Sequence, residues 1–90
     1  MAIGIYFRPE GMTAAKYDEV MKRLEAAGAA RPSARLHHSA FGSTDGLAVY
    51  DVWENQAAFD EFGQTLMPIL ADLGVDPGQP DVVPVHNMVQ

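Results

Sequence analysis

The sequence predicts an α+β sandwich in the order strand, helix, strand, strand, helix, strand. Three observations predict it. Leu47 to Trp53 is apolar or aromatic apart from Asp51, and Val49, Tyr50, Val52 and Trp53 all favour a strand. Thr13 and Asn55 can each cap a run whose apolar residues recur at spacings of three and four, the mark of an amphipathic helix. Turn residues separate these runs at Pro9-Glu10-Gly11, at Gly28, between Gly42 and Gly46, and from Gly74 to Pro80.

The elements follow in order. Ala2 to Arg8 reads as the first strand, with Ile3, Ile5 and Phe7 on one face and Gly4, Tyr6 and Arg8 on the other. The first helix runs from the Thr13 cap to about Ala27, with Tyr17, Val20, Met21, Leu24 and Ala27 as its inner stripe. Gly28 suits the left-handed stop that often ends a helix. Arg35 to Phe41 is the second strand and carries the adjacent pair His37-His38. The loop from Gly42 to Gly46 returns it into the third strand, making a hairpin.

The third strand places Leu47, Val49, Asp51 and Trp53 on one face and Ala48, Tyr50, Val52 and Glu54 on the other. Neither face is plainly polar, so both need covering. The second helix carries the stripe Phe59, Phe62, Leu66, Ile69, Leu70 and Leu73. Gly63 weakens its middle and Pro68 cannot donate a backbone hydrogen bond. Two shorter segments are expected there, with Thr65 capping the second. Val82 to Val89 is the last strand, and Pro84 within it points to an edge position or a bulge.

This is the split βαβ order of ferredoxin-like sandwiches, with both helices on one face of a four-stranded antiparallel sheet. The chain of 90 residues is one domain, 1–90. A domain this small is only marginally stable alone. The open sheet face would expose Tyr6 and Tyr50 as an apolar patch, and a second copy of the chain is the expected cover.

Composition excludes several functions. There is no cysteine, so disulfides and thiolate chemistry are out. The net charge is −6 and the six basic residues are scattered, which argues against nucleic acid. The first residues lack the basic start of a secretory signal, and no apolar run approaches the ~20 residues that span a bilayer. The expected location is the cytoplasm. No Gly-rich phosphate loop or nucleophile elbow is present.

Asp51 is the most informative residue. It interrupts an apolar strand face, and a buried carboxylate must be paired, hydrogen-bonded or protonated. A hairpin loop of four residues sets it opposite His38; a loop of five sets it opposite His37. An Asp–His pair in an apolar cleft can act as an oriented general base. The plain structural alternative is a polar pair that pins the hairpin register. His86 on the last strand could face the cleft or a dimer interface. Adjacent His37 and His38 point to opposite faces of a strand, and compact ligand spacing is absent, so no metal site is expected. Trp53, Phe59, Phe62 and Tyr17 would wall a pocket for a planar ligand, with the Trp53 indole N–H as a polar handle.

Tyr50-Asp51-Val52-Trp53-Glu54, then Ala57, Ala58 and Phe59, resemble the dimeric α+β barrel superfamily, and more narrowly a group of short bacterial proteins within it. Leu36-His37-His38 and Pro84-Val85-His86-Asn87 add to the resemblance, which covers essentially the whole chain. It implies two sheets packed face to face in a homodimer, with a cleft between sheet and helices in each subunit. The superfamily includes cofactor-free quinone-forming monooxygenases, polyketide cyclases, haem-degrading enzymes and dye-decolourising peroxidases. No haem-binding residue is assignable, so no cofactor is expected. The resemblance favours His38 over His37 as the partner of Asp51. It implies a small-molecule enzyme, monooxygenase-like or cyclase-like, or a degenerate relative, acting on an aromatic or polyketide-like compound. His38 would be the base, Asp51 its orienter and His86 a second polar group. The alternative is a non-catalytic dimeric binding or accessory protein using the same cleft.

Overall fold

The computed structural model describes residues 2–89. Six elements appear in the expected order: β1 (Ile3–Phe7), α1 (Ala14–Ala26), β2 (Arg35–Ser43), β3 (Gly46–Trp53), α2 (Gln56–Asp72) and β4 (Asp81–Pro84). The strands pair antiparallel in the order β2-β3-β1-β4. Both expected caps form: the Thr13 hydroxyl accepts from the Lys16 amide, and the Asn55 carbonyl accepts from the Ala58 amide. Gly28 takes the left-handed φ of 73° just past α1.

The hairpin is tighter than its composition suggests. Pairing runs out to Ser43–Gly46, leaving Thr44 and Asp45 as the turn. Gly42 sits there with φ of 125°, and a β-carbon would fall 2.7 Å from the Gly46 carbonyl oxygen, so no other residue fits without a shift. This register sets His38 opposite Asp51, the pairing expected of a four-residue turn. One irregularity follows: Arg35 pairs with Trp53 and His37 with Val52, so Leu36 is an extra residue in a bulge.

Two expectations fail. The second helix is continuous from Gln56 to Asp72, with Pro68 inside it and Thr65 in its body instead of at a cap. Pro68 lies on the exposed face, where water can satisfy the carbonyl that its missing N–H would have met. The buried stripe of Phe59, Phe62 and Leu70 holds both halves to the core. The last strand stops at Pro84 instead of reaching Val89. Its partner β1 begins at Ile3, which pairs with Pro84, and one further bond joins the Val85 amide to the Ala2 carbonyl.

The core lies between the sheet and the helices. Ile5, Phe7, Val49 and Trp53 from the sheet meet Val20 and Leu24 of α1 and Phe59, Phe62 and Leu70 of α2. Trp53 is 1 % exposed and packs against Phe59 and Phe62, with ring centroids 5.8 and 5.1 Å away. The opposite sheet face carries Tyr6 stacked on Phe41 and Tyr50 tilted against His37, with Phe41 and Val83 exposed. No helix among the described residues is long and apolar enough to cross a membrane. Replacing Trp53 by Ala should cost roughly 3–5 kcal/mol through lost burial and the cavity left behind. A denaturant midpoint equal to that of the parent protein would show that the ring does not carry the packing described here.

Candidate functional site

The site begins with a carboxylate that the fold buries. Asp51 is 4 % exposed in the middle of β3, on the face that meets the helices. An ionised carboxylate there needs hydrogen-bond donors on both oxygens. Oδ1 lies 2.5 Å from His38 Nδ1 on the neighbouring strand. Oδ2 accepts from the Trp53 indole N–H at 3.3 Å. A carboxylate can only accept, so Nδ1 of a neutral His38 carries the ring proton. Nε2 is then an acceptor, and Tyr17 Oη donates to it at 2.6 Å. The Tyr17 and His38 rings lie within 5° of parallel. A hydrogen-bonded chain therefore runs from Tyr17 on α1 through His38 and Asp51 to Trp53.

This chain borders a cavity between the sheet and the two helices. Tyr17, Val20 and Met21 line it from α1, Phe62, Leu66 and Leu70 from α2, and Val49, Asp51, His38 and Arg35 from the sheet. The cavity is about 50 Å³ and is partly open to solvent. Pro9, Met12 and Pro77 edge it. Glu10 and Asp76 tie the two edging segments together with a pair of backbone hydrogen bonds of 2.8 and 3.2 Å. Among the described residues, no group of three or more His, Cys, Asp or Glu is placed to hold a metal ion.

Solved structures share this architecture. SnoaB of Streptomyces nogalater, described as a cofactor-independent oxygenase, superposes with a TM-score of 0.63 at 16 % identity, over 98 % of this chain and 94 % of its own. A candidate antibiotic biosynthesis monooxygenase of Chloroflexus aurantiacus gives a TM-score of 0.64 at 14 % identity, over 99 % of this chain and 98 % of its own. Another, from Caulobacter crescentus, gives 0.62 at 18 % identity, over 98 % and 91 %. The fold is that of the antibiotic-biosynthesis-monooxygenase-like proteins. No family model matches the chain, and no curated protein matches it in sequence.

Within this fold, the residues singled out from sequence divide. His38, Asp51, Tyr17 and Phe62 come together at the cavity. Trp53 and Phe59 do not line it. They pack on each other between β3 and α2, and Trp53 reaches the site only through its bond to Asp51. His86 lies past the end of β4, exposed, and does not line the cavity of the single chain. His37 sits on the opposite sheet face, as alternation requires.

Two features escaped sequence reasoning. Tyr17 reads as one member of an apolar stripe, yet its hydroxyl extends the Asp–His pair into the cavity wall. Arg35 reads as a strand-end cation on the His37 face. The Leu36 bulge shifts it by one position onto the His38 face, where it donates to the Ala30 carbonyl at 2.9 Å and lies over the Phe62 ring at 5.8 Å. No composition signal marks that bulge.

Burial pushes the Tyr17 phenol above the ordinary tyrosine pKa; the Arg35 charge opposes the rise, while Asp51 and Asp18 add to it. The raised value makes a folded chain hold this proton longer than an unfolded one. The resulting stability is complete below the unfolded value of about 10 and fades as pH climbs through the folded value. In an ultraviolet titration, Tyr17→Phe should remove the highest-pH part of the phenolate signal. A titration that loses an ordinary tyrosine instead would place the phenol in water.

Proposed function

We propose that the chain is a small-molecule enzyme, or a close derivative of one, that acts without a cofactor on an aromatic or polyketide-like compound in the cleft between sheet and helices. One observation carries the reading: the chain of hydrogen bonds from Tyr17 to Trp53 opens onto an otherwise apolar cavity. Asp51 fixes the tautomer and orientation of His38, the arrangement that makes an imidazole a general base. Apolar walls suit a planar carbon skeleton, and Arg35 suits its oxygens. The 50 Å³ cavity would take only the reacting edge of such a ligand, with the remainder at its open mouth. SnoaB, with the same fold, is described as a cofactor-independent oxygenase. Monooxygenase-like and cyclase-like reactions can both begin by removing an acidic proton from the substrate, the step this pair would supply.

The test is to incubate the protein under air with a panel of aromatic and polyketide-like compounds and follow conversion by mass spectrometry. His38→Ala should lower any conversion by roughly 10²-fold or more. Ligands that bind in the cleft and emerge unchanged across the panel would instead identify a binding or accessory protein.

The proposal includes a homodimer. Helices cover one sheet face, while the other presents Tyr6, Phe41, Tyr50 and Val83 in one apolar patch. Light scattering at micromolar concentration should give twice the chain mass of 9.8 kDa. A stable monomer would refute this part.

A further inference from the structure

In the proposed reading His38 is the base, yet neither of its ring nitrogens is free. Nδ1 is held by Asp51 at 2.5 Å and Nε2 by Tyr17 Oη at 2.6 Å. An imidazole offers no third polar atom. While both contacts stand, a ligand in the cavity finds no lone pair on His38. The phenol is different: after donating its proton, Tyr17 Oη still has acceptor capacity, and Tyr17 lines the cavity.

Resting on the cleft reading above, we infer that Tyr17 is the catalytic group that exchanges a proton with the ligand, and that His38 stands one step behind it as the store for that proton. The step balances without any co-reactant. The Tyr17 proton moves along its existing bond to His38 Nε2, and the Tyr17 oxygen takes a proton from the ligand. Tyr17 ends as it began. His38 becomes an imidazolium beside the Asp51 carboxylate, and the ligand becomes an anion. A neutral imidazole is a mild base, so the ligand group must be acidic: an activated phenol, or a carbon flanked by carbonyls. Arg35, turned to this side by the bulge, supplies a fixed positive charge to the anion. The geometry explains why a tyrosine stands in a stripe where leucine would pack as well. Its ring fills the helix–sheet seam while its hydroxyl closes the open end of the Asp–His pair.

The probe is 4-nitrophenol, a weak acid whose phenolate is coloured. It is added to the full-length protein at a pH just below its own pKa. Absorbance reports the phenolate fraction, and nitrogen-15 shifts of the His38 ring report its protonation. In the parent protein the bound probe should be several-fold more ionised than the free probe, with His38 turning to imidazolium in step. Tyr17→Phe frees His38 Nε2, so any ionisation that survives in it should come with the probe oxygen moved onto Nε2 itself. An ionised probe in the parent complex whose oxygen lies out of hydrogen-bond reach of Tyr17 Oη would overturn the inference. So would a crystal structure of the complex with the probe oxygen on His38 Nε2 and Tyr17 displaced. Failure of the cleft reading looks different: the parent protein itself would not bind the probe in the cavity, and the inference would fall with it.

Discussion

The buried carboxylate of Asp51 constrains everything around it. Its burial is tolerable only because His38 and Trp53 supply hydrogen bonds to both oxygens. His38 sits across from it on the next strand, so the contact exists in one hairpin register alone. A slip by one residue would send every side chain of β2 to the wrong face. His37 would then meet the carboxylate, and Ala40 would leave the helix side. Gly42 enforces the same register from the turn, since only glycine has room beside the Gly46 carbonyl. Polar satisfaction and turn sterics therefore select one pairing independently, which is how a short hairpin avoids competing alignments.

Geometry then converts that pairing into a site. β1 and β3 occupy the centre of the sheet, and the helices lie over its one covered face. Their seam leaves a crevice above His38 and Asp51. Tyr17 reaches into it from α1 because the Thr13 cap starts that helix and sets the phase of its inner stripe. Docking of α1 is thereby coupled to the tautomer and orientation of His38. A change in the helix start that rotates α1 would break the Tyr17 bond while leaving the Asp51 pair intact. The strap formed by Glu10 and Asp76 joins the segment before α1 to the segment after α2, so it holds both helices over the crevice.

Much of this was legible in the chain. Element order follows from two capped amphipathic runs and from turn residues, and the Asp51 partner follows from hairpin arithmetic with a choice of two histidines. The misses have physical causes. Pro68 reads as a breaker, but a proline on a solvated helix face loses one hydrogen bond to water and little packing. Val82 to Val89 has strand composition, yet a strand is as long as its neighbour permits, and β1 ends the pairing at Pro84. His86 therefore lies beyond the paired part of the strand. Arg35 was hidden by a bulge at Leu36, which shifts register without any turn residue to announce it. Tyr17 was placed correctly and its role was missed. A helical stripe reports which side faces inward, and it does not report what the tip of a side chain meets there.

The bland alternative is that Asp51 and His38 only pin the hairpin. The surroundings of the pair argue against that reading. A register pin does not require an open cavity beside it. The cavity has flexible neighbours able to collapse into it, Met12 and Met21 among them. A pin also needs no third member, and it gains nothing from an arginine turned onto the same face by a bulge. The polar chain, the unfilled volume and the cation occur together on one side of the sheet. Arg35 also has structural partners in the Ala30 carbonyl and the Phe62 ring, but a bound anionic or acidic ligand would give the polar chain, the cavity and the cation a single use.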